Sequence, residues 1–301
     1  FQFTHFAVKS KMADNVKVKL QDLVPSSKGC TILFNHKNSL LSRSTVGLSM
    51  DFFRAVISHD YDRKAMPEYE VTIEELWIRK LDVNPNMYNG SKFRLNDLSE
   101  EENCIKLEFG LTCYKDFQCT NMQPTEKVGM LKQYGLQNYG NVYACMANPT
   151  FSTVIVESSD NYAVLFRRSN MVGEAPGMID FPGGHMEPNE VNEHELLENM
   201  SGDNVVKEFF YSALREVRDE VNLPESSLSW PSLLGILRNN EIGGKPGACF
   251  YIRCSCSSDK INQLYQKGGP ESYESTELIL VKLKDLYDAN SPVFSKLSSN
   301  M

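Results

Sequence analysis

Residues 215–223 read REVRDEVNL, five charged side chains in nine, at the end of a segment that otherwise patterns as an amphipathic helix, VVKEFFYSALREVRDEV at 205–221. On a helical wheel centred on Phe210, the side chains of Val206, Ala213, Leu214, Val217 and Val221 fall within about 60° and form the stripe that a helix buries. Glu220 falls about 80° and Glu216 about 120° from the same centre, one turn apart on one shoulder of that stripe, and Asp219 falls opposite, toward solvent. Glutamates at i and i+4 repel each other. The pair therefore costs stability unless a cation lies between them, and hard oxygen ligands with room for water suit Mg2+.

Working outward, the helix is preceded by an acidic stretch, NEVNEHELLENMSGDN at 189–204, too poor in periodic apolar residues to read as core and expected to be a surface insertion. Before it lies a Gly/Pro-rich loop, EAPGMIDFPGGHMEP at 174–188, and before that two β-like runs, STVIVES and NYAVLFRR, joined as a hairpin. SLLGILRN, ACFYIRCSC and TELILVKL read as further strands, with a short helix at DKINQLYQK. The N-terminal half alternates β-like runs (KVKLQDLV, CTILFNH, CIKLEFGLTCY) with a helix around TIEELWIRKL, where Thr72 and Glu75 have capping-box spacing. The chain is thus expected to divide into an α+β domain at 1–147 and an α/β domain at 148–301.

Composition narrows the function classes. Of 301 residues, 31 are Lys or Arg and 39 are Asp or Glu, a net charge of −8, and no basic stretch is long enough to face a nucleic acid. A local basic pocket for a phosphate compound is compatible with that balance. No apolar run approaches a membrane span, and no membrane association is expected. The eight cysteines have neither CxxC nor zinc-like histidine spacing and read as reduced thiols, with Cys254 and Cys256 on one face of a strand. FQFTHFAVKSK lacks the apolar core of a secretory signal, so Met12 is the expected start and the cytoplasm the expected compartment.

The FPGGHME and REVRDE segments together resemble the Nudix hydrolase box, G-x5-E-x7-R-E-U-x-E-E-x-G-U with U aliphatic. Arg215, Glu216, Val217, Asp219, Glu220 and Leu223 fill its second half, with Asp219 for one Glu and Asn222 for the Gly. An insertion lengthens the first half, and the position of the family's first glutamate holds Lys207, with Glu208 one residue off. Beyond the box, KFRL at 92–95, GLTCYKDF at 110–117, FRRSNMVGEAPGMIDFPGGHMEP at 166–188, DEVNLP at 219–224 and GGPESYEST at 268–276 are similar to the UDP-glucose pyrophosphatase branch of that family.

The resemblance implies an α/β/α Nudix sandwich behind a smaller α+β domain. It further implies a Mg2+-dependent diphosphatase that cleaves UDP-glucose, and UDP-galactose, to UMP and sugar 1-phosphate. On the matching positions, Glu216 and Glu220 would bind Mg2+ and Arg215 would orient the carboxylates by a charge-assisted hydrogen bond. Phe93 and Tyr114 would line the nucleotide-sugar pocket, and Arg168, Gly173, Asp180, His185 and Glu187 would contact the ligand. These residue types make physical sense there: aromatic faces stack on uracil, a guanidinium grips phosphate, and carboxylates or imidazole bond sugar hydroxyls. For the base that activates water, Glu216 or Glu220 ranks ahead of Glu274. Two rival readings stand beside this one. A coenzyme A diphosphatase shares Arg168, Ser169, Gly177 and 181–184 but would need a threonine at Phe166 and an arginine at Gly173, and a non-catalytic nucleotide-sugar sensor would suit the interrupted box.

Overall fold

The computed structural model describes residues 29–41, 46–172, 176–192, 194 and 197–287. The KVKLQDLV run, Met12 and Gly173 lie outside the described residues. In chain order the elements are β1 (Cys30–Asn35), β2 (Phe53–Ile57), α1 (Pro67–Val83), β3 (Ser91–Glu100), β4 (Ile105–Cys113), α2 (Tyr114–Cys119), α3 (Thr125–Tyr139), β5 (Phe151–Glu157), β6 (Tyr162–Arg168), β7 (Ile179–Asp180), α4 (Gly202–Val221), β8 (Ser232–Asn239), β9 (Lys245–Arg253), α5 (Ser258–Tyr265), β10 (Ser275–Lys282) and α6 (Leu283–Tyr287). Seven strands form a mixed sheet ordered β1-β8-β9-β5-β6-β10, with β7 on β6, and β2-β4-β3 form a second sheet. The central β9 and β5 pair in parallel. Among the described residues, no helix is long and apolar enough to cross a membrane.

Period-2 alternation sorts the main sheet into two buried faces. Val154, Val156, Val164, Phe166, Ile236, Phe250 and Ile252 point to the side covered by α4. Ile155, Ala163, Leu165, Leu234 and Val281 point to the other, where Leu283 and Leu286 of α6 close the layer; a register shift between Leu233 and Gly235 interrupts the alternation in β8 and puts Leu234 and Ile236 on opposite faces. This is the helix-sheet-helix layering of the expected α/β sandwich.

Helix α4 is the pivot. Its hydroxyl cap, Ser201, accepts from the Asn204 N–H at 3.2 Å. Its C-cap, Asn222, takes the left-handed conformation at φ 60°, a position where asparagine is the usual substitute for glycine, and its side-chain amide donates to the Leu264 carbonyl at 2.8 Å. The Phe210 ring meets Phe250 of β9 at 5.2 Å and Phe53 of β2 at 5.3 Å. The same helix thus packs against both sheets, and Phe93, Leu95, Ile105, Leu107 and Phe109 belong to one hydrophobic cluster with the main-sheet residues. The expected division at 147/148 does not separate two cores: β1, from the N-terminal part, pairs with β8.

Arg94 of β3 fastens this junction. It is 1% exposed, and its guanidinium donates to the carbonyls of Met146 at 3.1 Å, Tyr61 at 2.7 Å and Tyr143 at 2.8 Å. Burial lowers its pKa to about 10.

Three expectations are corrected. Helix α1 begins at Pro67, with proline at its first turn, so Thr72 lies inside the helix and caps nothing. The acidic stretch is only partly a surface insertion, because Leu197 and Met200 are buried and Met200 joins the core. Strand β9 ends at Arg253, so Cys254 and Cys256 follow the strand, where the Cys256 N–H donates to the Cys254 sulfur at 3.4 Å.

Because Phe210 touches both sheets, Phe210→Ala is expected to cost about 3–5 kcal/mol while the urea transition stays single. Fluorescence and circular dichroism should report the same midpoint. A two-step transition in which the N-terminal sheet melts separately would contradict a shared core.

Candidate active site

The loop after β7 is pinned flat against β5. Val154 N–H donates to the Pro182 carbonyl at 2.8 Å and Ser152 N–H to the Gly184 carbonyl at 2.7 Å. At this approach a side chain on Gly183 would collide with the Ser152 carbonyl, and one on Gly184 would collide with the Glu216 carboxylate. The glycines therefore let backbone come up to the shoulder of α4. Glu220, 4% exposed, accepts from the Gly183 N–H at 2.9 Å.

Both glutamates resist ionisation. Burial, followed by the charges of Glu271, Glu274 and Glu187, raises Glu216 from the ordinary 4.5 to about 8, against the opposing field of Arg215. Burial and Glu216 raise Glu220 well above its ordinary value, against the Gly183 N–H and Arg168. Glu271 is raised as well, by burial and then Glu274, Asp219 and Glu187. It is brought close by its N–H, which donates to the Asp219 carbonyl at the end of α4 at 3.3 Å. Carboxylates crowded so that each opposes ionisation of the next fit a divalent cation, which would offset their repulsion. Among the described residues, no group of three or more His, Cys, Asp or Glu side chains stands in metal-holding geometry.

Arg215 does not reach the two glutamates. Its guanidinium forks onto Glu208, with Nη2 to Oε1 at 2.6 Å and Nη1 to Oε2 at 3.1 Å, and lies 3.3 Å from Glu190. Its influence on Glu216 is that of a nearby charge. Glu208, 5% exposed, is two turns before Arg215, so the one-residue offset in the box still presents a carboxylate to the arginine. Asp219 is less open than the wheel implied: its side chain is 15% exposed and ion-paired with Arg218 at 2.7 Å.

The remaining candidates surround the same loop unevenly. The His185 ring stands edge-on to Phe151 at 5.2 Å and Phe117 at 6.1 Å, and its buried Nε2 has no hydrogen-bond partner. Burial, then Lys245, Lys92 and Arg168, hold its pKa well below the ordinary value, so the imidazole is neutral. Glu187 forms an ion pair with Lys92. Asp180, half-buried, accepts from the Phe181 N–H at 2.9 Å. Tyr114 opens α2 and packs edge-on to Trp77 at 6.3 Å, one ring removed from His185 through Phe117. Phe93 is corrected to a core residue: it is 0% exposed and edge-on to Phe109 at 5.9 Å, with no face left for a base. Alternation along β3 turns its neighbour Lys92 to the loop instead.

Lys92, Glu271 and Lys245 escaped the sequence reading, which noted Glu208 only as displaced by one residue from the box. Lys245 is 4% exposed, and its ammonium lies over the Phe151 ring at 4.3 Å and the Phe117 ring at 4.8 Å. Its one available signal was GGKPG at 243–247, where Gly243 and Gly244 have positive φ.

A buried glutamate pair on a helix shoulder, faced by a glycine loop and flanked by cations and aromatic rings, offers chemistry suited to an anionic ligand. The chain is 36% identical over 247 residues to the uridine diphosphate glucose pyrophosphatase NUDT22 of Bos taurus, a match covering 80% of this chain and 84% of the relative. It is 35% identical over 247 residues to the Homo sapiens NUDT22 protein, covering 80% and 81%. To Nudix hydrolase 9 of Arabidopsis thaliana it is 34% identical over 258 residues, covering 79% of each. No family model matches the chain. On these relatives the chain belongs to the Nudix hydrolase family, whose members generally use a divalent metal.

The shift of Glu216 gives a pH test with a definite sign. Below its ordinary value of 4.5 the carboxyl is protonated in both states; above it the unfolded chain loses the proton first, and the folded protein keeps it until about 8. The folded state binds more protons in that window, so its stability falls as pH rises. In divalent-cation-free buffer the melting temperature should therefore drop between about pH 5 and pH 8, and Glu216→Gln should flatten the drop. An unchanged slope in the variant would contradict the buried-pair electrostatics.

Proposed function

We propose that this chain is a Mg2+-dependent diphosphatase that hydrolyses UDP-glucose, and UDP-galactose, to UMP and sugar 1-phosphate. The observation that carries the reading is the crowding of Glu216 and Glu220 against the FPGG loop, in a chain whose relatives are named UDP-glucose pyrophosphatases. Glu216 and Glu220 would hold the metal. When bound, it would supply Lewis-acid stabilisation of the diphosphate and of the attacking water.

The protein groups act around that centre. Gly183 and Gly184 let the diphosphate lie close to the helix shoulder. Arg168 supplies a cation at the end of β6, facing both Glu220 and His185. Neutral His185 presents an unpartnered ring nitrogen to a sugar hydroxyl or uracil carbonyl, and Glu187 accepts from sugar hydroxyls. Tyr114, and Tyr88, which is 81% exposed, offer aromatic surface to the uracil. Arg215, held by Glu208, fixes the local field at Glu216. All eight cysteines are free thiols, which suits a cytoplasmic location. The partner is a small-molecule nucleotide sugar, not a nucleic acid.

Purified protein with Mg2+ should release UMP from UDP-glucose faster than it cleaves ADP-ribose or coenzyme A. Glu220→Gln should lose at least about 100-fold in turnover, while its cation-free melting temperature holds or rises, because a neutral amide of the same shape replaces a buried group whose ionisation is opposed. Asp219→Asn, already neutralised by Arg218, should cost about threefold at most. Coenzyme A as best substrate, binding of UDP-glucose without turnover, or near-full activity in Glu220→Gln would each overturn the assignment.

A further inference from the structure

The small sheet reaches the site through one charged side chain. Lys92 of β3 is ion-paired with Glu187, and the two side chains are 13% and 37% exposed. The Glu187 N–H donates to Glu208 Oε1 at 3.1 Å, and the same carboxylate receives the Arg215 guanidinium. Two ion pairs, Lys92–Glu187 and Glu208–Arg215, joined by the Glu187 N–H, therefore link the N-terminal sheet to the helix that carries Glu216.

The strand that carries Lys92 is firmly anchored. Lys92 lies two residues from Arg94 on the same face of β3, and Arg94 is immobilised by three carbonyls and the Asn96 side chain. A carboxylate held by one fixed cation samples few rotamers, and this preorganisation lowers the entropy lost when it binds a ligand. Without that cation, Glu187 would turn freely and add its charge to the group it already disfavours, Glu216 and Glu271.

We propose that Lys92 is a positioning residue: it aims the Glu187 carboxylate at the substrate's sugar hydroxyls, so that substrate affinity is set partly by the N-terminal sheet. This rests on the nucleotide-sugar reading above. Lys92 acts through Glu187 and makes no contact with the phosphorus undergoing attack. Its loss should weaken binding and leave the chemical step nearly intact.

The test is steady-state hydrolysis of UDP-glucose, with thermal melts, for wild type, Lys92→Met, Lys92→Arg, Glu187→Gln and the Lys92→Met/Glu187→Gln double variant. Lys92→Met should raise KM about tenfold, the scale of a lost charged hydrogen bond, with kcat within about twofold. Lys92→Arg should recover most of that loss, because a guanidinium keeps the charge and the reach. The double variant should match Glu187→Gln alone within about twofold, the signature of one residue acting through the other. Multiplying effects in the double variant, a fall in kcat at constant KM, or a Lys92→Arg variant no better than Lys92→Met would each overturn the inference. Should Lys92→Met fail to fold, the Lys92→Arg and Glu187→Gln values alone decide it: KM near wild type for the first and about tenfold higher for the second are required. Wild-type protein inactive on UDP-glucose would remove the functional reading and this inference together, whereas active wild type with an indifferent Lys92→Met removes only the inference.

Discussion

Two carboxylates one helical turn apart, Glu216 and Glu220, are pressed against a backbone loop with too little positive charge to balance them. Such an arrangement is unfavourable in itself, and it survives because the rest of the molecule overdetermines it. Helix α4 cannot rotate to release the pair, since Phe210 and its neighbours wedge it between β9 and β2. The loop cannot retreat either, because its carbonyls accept hydrogen bonds from β5 on either side of the two glycines. The frustration is thus local, stored at one shoulder of one helix, and offset by aromatic packing elsewhere.

Charge is segregated across the site. On the α4 side stand Glu216, Glu220, Glu271 and Glu274, each opposing ionisation of another. On the His185 side, burial first and then the charges of Lys245, Lys92 and Arg168 hold the imidazole pKa well below its ordinary value. A substrate with a diphosphate next to a neutral sugar fits this polarity, because cation chemistry gathers at one end and hydrogen-bonding groups stand at the other. The net charge of −8 conceals the separation.

How far this was readable from sequence depended on the range of each interaction. The buried stripe of α4, its stop at Asn222 and the paired glutamates follow from helical geometry, which needs only residues a few positions apart. The β5–β6 hairpin and the strands after α4 follow from alternation for the same reason. What failed was long-range or ambiguous by local pattern. Phe93 and Lys92 are neighbours on one strand, and only the packing of β3 on β4 shows which of them faces the core and which the site. The α1 start at Pro67 was missed because Thr72 and Glu75 mimic a cap inside a continuing helix. Glu208 looked displaced in a linear box, although two helical turns restore its reach to Arg215.

Contacts also cross the expected boundary at 147/148. Composition changes near residue 150, but a hydrophobic core is defined by contact, and the contacts cross that point. β1 adds an edge to the main sheet, β2 supplies Phe53 to the α4 packing, and α2 supplies Phe117 to the wall beside His185. Arg94 then ties β3 to the carbonyls at Tyr143 and Met146, just before β5 begins. The N-terminal unit thus shares its core with the main sheet and contributes side chains around His185 in the candidate site. The shared core and the Lys92–Glu187 ion pair connect it physically to the helix shoulder that carries the glutamate pair.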